Sequence, residues 1–96
     1  MKIIHTTVQF DEWLLRLRDV KAKNNIIARI DRASFGHFGD VKSVGEGVCE
    51  MRVHLSPGYR IYHTEKGGKV VVLLVGSVKS GQTRDIKHAI KIAKTL

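Results

Sequence analysis

Residues 48–79 read VCEMRVHLSPGYRIYHTEKGGKVVVLLVGSVK, and this stretch decides the fold. From Val48 to Leu55 the chain alternates, with Met51, Val53 and Leu55 on one parity and Glu50, Arg52 and His54 on the other, the period-two pattern of a half-buried strand. Ser56-Pro57-Gly58 is a turn by composition. Tyr59 to Thr64 forms a second strand, Lys66-Gly67-Gly68 breaks it, and Lys69 to Val78 forms a third. The run VVVLLV at residues 70–75 is apolar on both faces, which predicts a central strand covered by helices on at least one side. Working upstream, Gly45-Glu46-Gly47 joins a short strand, Val41 to Val44, to this group. Successive hairpins of this kind predict an antiparallel meander.

Outside the meander the period changes. Phe10, Trp13, Leu14 and Leu17 recur at helical steps, with Asp11 and Glu12 placed to complement the helix dipole. Asp19 is the expected cap of a second helix whose apolar side carries Val20, Ile27 and Ile30, widened by Ile26 and Ala33, with Lys21, Arg29 and Arg32 toward solvent. A link this short predicts a helical hairpin. Gly36-His37-Phe38-Gly39-Asp40 ends it, Lys2 to Val8 reads as an opening strand, and from Gln82 onward Ile86, Ala89, Ile90, Ala93 and Leu96 restore the helical period. The expected order is β-α-α-β-β-β-β-α, an α+β single domain over residues 1–96 with an antiparallel sheet, an N-terminal helical hairpin and a C-terminal helix.

The 96 residues include 17 Lys or Arg against 9 Asp or Glu, a formal charge of +8 with His neutral. Folding a chain of this length hides roughly two-thirds of its unfolded surface, enough for one modest core. No apolar run approaches the roughly 20 residues of a membrane span, and the opening MKIIHTTVQF lacks the apolar segment of a signal peptide. The expectation is a soluble, cytoplasmic protein without a membrane partner. Cys49 has no partner for a disulfide, and His5, His37, His54, His63 and His88 lack the close pairing of zinc sites, so neither a metal nor a cofactor is expected.

Register arithmetic locates the charge. With Ser56-Pro57-Gly58 as the whole turn, Leu55 faces Tyr59 on the core side, while His54 faces Arg60 and Arg52 faces Tyr62, these last four on the other side of the sheet. An even-length turn through Gly67-Gly68 adds Leu73, Val75, Ser77 and Lys79 to that side. Arg52, His54, Arg60 and Lys79 then converge beside Tyr62, and Glu50, on the same parity, is placed to pair with Arg52. Cations on adjacent strands repel unless an anion or an acidic partner compensates them, which points to a phosphate-binding surface with Tyr62 as a stacking plate for a base. His63 lies on the core-facing parity and reads as structural.

Seven blocks of the chain then resemble, in order, the HigB-like branch of the RelE/ParE toxin superfamily: Phe10-Asp11-Glu12-Trp13-Leu14, Ile26-Ile27-Ala28-Arg29-Ile30, Gly36-His37-Phe38-Gly39-Asp40, Gly45 through Arg52, Pro57-Gly58-Tyr59-Arg60-Ile61-Tyr62, Leu73-Leu74-Val75-Gly76 and Lys79 through Ile86. The resemblance, which covers essentially the whole chain, implies a RelE-like fold and an addiction module killer protein, or a phage-derived protein of the same fold. The implied activity is that of a ribosome-dependent mRNA endoribonuclease (mRNA interferase), in which a ribose 2′-hydroxyl attacks the adjacent phosphate without metal. Arg60 matches the Arg of the family's GYR strand and is assigned transition-state stabilisation. Arg52 and Lys79 match flanking basic positions, and His54 is a candidate proton shuttle.

In the last block Gln82 and Arg84 are candidate substrate-binding residues, although Gln82 and Asp85 are explained equally well by the demands of a helix start. Some relatives carry a second cation after the lysine and a Tyr in the last helix, where this chain has Ser80 and Ile86. The implied partners are an antitoxin, expected to be of helix-turn-helix type, the ribosome and mRNA. Operator DNA is expected to be bound only through the antitoxin complex. The alternatives are a non-enzymatic inhibitor of the ParE kind, whose members poison DNA gyrase, and an inactive, phage-derived basic RNA-binding domain.

Overall fold

The computed structural model describes residues 1–96. The elements follow the expected order: β1 (Ile3–Thr6), α1 (Val8–Arg16), α2 (Val20–Ser34), β2 (Val41–Gly45), β3 (Val48–Val53), β4 (Tyr59–Lys66), β5 (Val70–Val78) and α3 (Gln82–Ala93). Thr7 caps α1 by accepting from the Phe10 N–H at 3.0 Å, and Asp19 caps α2 by accepting from Ala22 N–H at 3.1 Å. No helix is long and apolar enough to cross a membrane.

The five strands lie in the order β1-β5-β4-β3-β2. The meander is antiparallel as expected, but β1 runs parallel to β5, so the sheet is mixed rather than purely antiparallel. The apolar run on β5 is an interior strand with a core on each face. On one side Phe10 of α1 and Ala22 and Ile26 of α2 meet Met51, Val53, Tyr59, Ile61, Val71 and Leu73. On the other, Ala89 and Ile92 of α3 meet Val48, Tyr62, Val72, Leu74 and Val75. Each fully buried Val, Leu, Ile, Met or Phe side chain among these contributes roughly 1.5–3 kcal/mol relative to exposure.

Three details differ from expectation, each for a local reason. In α2 the buried stripe is Ala22, Ile26 and Ala33, while Val20 and Ile27 are exposed, so the apolar face is rotated from the predicted one. Arg29 accordingly turns inward instead of to solvent, donating to Arg52 O at 2.6 Å and to Phe38 O at 2.9 Å. The β3–β4 hairpin pairs Val53 with Tyr59 and Arg52 with Arg60, because the turn takes in His54 and Leu55 as well as the expected Ser56-Pro57-Gly58. The shift is two residues and leaves every side chain on its predicted face. Between β4 and β5 the register slips where Tyr62 pairs with Val75 but His63 pairs with Leu73. Leu74 is the extra residue of that bulge, and Leu73 joins the α1–α2 core rather than the face of Arg60.

Candidate functional site

Antiparallel pairing sets Arg52 of β3 directly across from Arg60 of β4, an arrangement that like charges oppose. The compensation comes from within the chain. Glu50, two residues before Arg52 on the same face, is wholly buried at 0% exposure. Its Oε1 lies 3.2 Å from Arg52 Nε and its Oε2 lies 3.4 Å from Arg60 Nε. Tyr62 Oη donates to Oε2 at 3.2 Å, and Gln82 Nε2, reaching down from the first turn of α3, donates to it at 2.8 Å. Burial and the adjacent Glu50 carboxylate push the Tyr62 phenol far above its usual range, so it stays a neutral donor.

Lys79, just past the end of β5, is tied to the hairpin turn. Its N–H donates to Gly58 O at 3.0 Å, while its carbonyl accepts from Arg60 Nη1. Gly58 has φ +93°, and a β-carbon there would stand 3.4 Å from Lys79 Cβ, so glycine suits both the backbone conformation and the close approach of the Lys79 stem. His54, in the same turn, pairs through Nε2 with Asp40 Oδ2. Asp40 is placed by its neighbours: its carbonyl accepts from Arg52 N–H at 2.9 Å, and Arg29 anchors Phe38 beside it. The His54 hydrogen bond, aided by the charge of Arg52, holds the Asp40 carboxyl below the usual range.

Arg52, His54, Arg60 and Lys79 border one groove of about 330 Å³, lined by residues 52–60 of the β3–β4 hairpin and its turn together with Lys79. Arg52, His54, Arg60 and Lys79 are thus brought together as the sequence predicts. His54 reaches the groove from the turn, with its side chain 72% exposed, rather than from the strand opposite Arg60. The other three candidates are placed differently. Tyr62 is fully buried and offers no face to a base, because α3 covers it; its role here is to donate to Glu50. Gln82 likewise points inward to Glu50. Arg84, 84% exposed and beside Asp85, lies outside the groove.

Sequence reasoning missed Asp40, which lies in a loop with no periodic signal, and Arg29, whose inward turn depends on the rotation of α2. His63 is buried as its parity predicts, stacked on Phe38 with ring centroids 5.1 Å apart. Burial raises the Cys49 thiol pKa, which disfavours thiolate chemistry. No three His, Cys, Asp or Glu side chains converge in a group that could hold a metal ion.

Fold and groove together define an α+β protein with a mixed five-stranded sheet and an arginine-lined cleft at one end of its central hairpin. No protein-family model matches the chain. It is 47% identical over 93 residues, covering 97% of its own length and 94% of the other's, to an uncharacterized protein of Haemophilus influenzae, and it belongs to the same family as that protein.

Proposed function

We propose that this protein is a toxin of the RelE/ParE superfamily, HigB-like branch, that cleaves mRNA on the ribosome and is held inactive by a cognate antitoxin. The observation that carries the reading is the convergence of Arg52, Arg60, Lys79 and His54 on one open groove. A phosphodiester seated there meets two guanidinium groups and an ammonium, the donors suited to the charge that builds on the phosphoryl oxygens as the 2′-oxygen attacks. In that step the bond from the 2′-oxygen to phosphorus forms and the bond from phosphorus to the 5′-oxygen breaks. The products are a 2′,3′-cyclic phosphate and a free 5′-hydroxyl.

One proton must leave the 2′-oxygen and one must reach the departing 5′-oxygen. His54 is the only imidazole on the groove. An ionised Asp40 can only accept, so Nε2 of His54 carries its proton toward Asp40 and leaves Nδ1 free to take the 2′-hydroxyl proton. With no second imidazole on the groove, the proton for the departing 5′-oxygen comes from solvent. An acidic antitoxin segment covering Arg52, Arg60 and Lys79 blocks the groove and satisfies its charge.

Induced expression tests the reading. Growth and translation should stop in cells carrying the wild-type chain and continue in cells carrying Arg60→Ala. A fully toxic Arg60→Ala protein contradicts the role given to Arg60.

A further inference from the structure

The most buried charged side chain of the molecule lies directly beneath the groove without lining it. Glu50 takes Arg52 by Nε through one carboxylate oxygen and Arg60 by Nε through the other. Its own position is fixed by donors from β4 and α3, Tyr62 Oη and Gln82 Nε2. A guanidinium is planar, so holding Nε fixes the direction in which the terminal nitrogens point. Arg60 is held on a second side by the Lys79 carbonyl, which leaves its Nη2 uncommitted. Both Nε–carboxylate contacts are ion pairs rather than aligned hydrogen bonds, and only Arg60 has a further tie, to the Lys79 carbonyl, so Arg52 is the looser of the two. Side-chain exposure agrees, at 34% for Arg52 and 13% for Arg60.

We infer that Glu50 is a positioning residue for the cleavage: its buried carboxylate grips the inner edges of Arg52 and Arg60 so that their outer amino groups meet one phosphodiester in the groove. The inference rests on the nuclease reading. A carboxylate that served only to offset repulsion would weaken anion binding and do nothing for rate. One that orients the arginines trades some affinity for geometry, and a misplacement of about 1 Å can cost on the order of 10²-fold in rate.

Two substitutions and one spectroscopic measurement on the full-length protein separate these roles. Glu50→Gln removes the charge, and Glu50→Asp keeps it but withdraws it by one methylene. Positioning predicts that both lower turnover of ribosome-bound mRNA about 10²-fold, while Glu50→Gln binds an uncleavable single-stranded DNA oligonucleotide at least as tightly as wild type. Wild-type turnover in either variant overturns the inference. Exchange of the arginine Nε protons, followed by ¹⁵N NMR, needs neither variant to fold. In the wild type, Arg52 and Arg60 should exchange with water at least about tenfold more slowly than Arg16 and Arg84. Rapid exchange at both in a protein that cuts mRNA overturns the positioning role alone. Slow exchange in a wild type that cuts no mRNA overturns the nuclease reading instead, and the inference falls with it.

Discussion

Trp13 of α1 occupies the space that a side chain at Gly76 of β5 would need: a β-carbon built on Gly76 would press against Cε3, Cζ3 and Cδ2 of the indole, closer than real contacts allow. The contact seats α1 against the sheet, where Trp13 also meets Phe10 and Tyr59 edge-on or tilted. Gly76→Ala should therefore destabilise the fold by about 1–3 kcal/mol or more through overpacking. In thermal unfolding each kcal/mol lowers Tm by roughly 4–8 °C for a domain of this size. In a Trp13→Ala background the same substitution should cost much less, and equal costs in both backgrounds would contradict the contact.

His63 supplies a pH dependence of known sign. Its burial favours the neutral imidazole and lowers its pKa. The unfolded chain takes up a proton as pH falls through about 6.5, whereas the folded chain resists until lower pH. This contribution to stability is complete above about 6.5 and is lost as pH falls through the lowered folded value. Denaturant titrations at pH 7 and pH 5 should show a loss in the wild type that His63→Phe reduces. The aromatic replacement keeps the stack on Phe38 and removes the unpartnered Nδ1.

Asp40 gives a second titration with a different origin. The Asp40 carboxyl sits below its usual range chiefly because His54 hydrogen-bonds it. Its contribution is present above the ordinary carboxylate pKa and is lost as pH falls through the depressed value. His54→Ala should return Asp40 toward the ordinary range in an NMR titration. An unmoved Asp40 would remove the basis for orienting Nδ1 of His54 into the groove.

The groove's charge should be visible in salt dependence. Each phosphate neutralised on a single strand contributes a slope of about −0.7 to log K against log salt concentration, so the one phosphodiester held by Arg52, Arg60 and Lys79 contributes about −0.7. Replacing Arg52, Arg60 and Lys79 together by Ala should reduce the slope by about 0.7, measured by fluorescence anisotropy with a DNA oligonucleotide. Arg84→Ala, remote from the groove, should leave it nearly unchanged.

How much of this was legible in the sequence depended on which errors preserve parity. Extending the β3–β4 turn over His54 and Leu55 shifted the pairing by two residues, so Arg52, Arg60 and Glu50 kept their common face. The bulge on β5 changed parity, and nothing in VVVLLV could reveal it, because both faces of that strand are apolar. Parallel pairing of β1 with β5 involves no turn, and so it leaves no local signal. Alternation put Glu50 beside Arg52, but its complete burial, like that of Tyr62, comes from α3 closing over the sheet with Gln82. Asp40 reaches His54 only because Arg29 binds the intervening loop to β3, a contact between segments far apart in the chain.

The most direct measurement combines purified protein with translating ribosomes and maps the ends of the mRNA. A groove that works as assigned yields cuts ending in a 2′,3′-cyclic phosphate and a 5′-hydroxyl, slowed about 10²-fold or more by Arg60→Ala. Intact mRNA beside blocked gyrase supercoiling, or cleavage by Arg60→Ala at the wild-type rate, would contradict it.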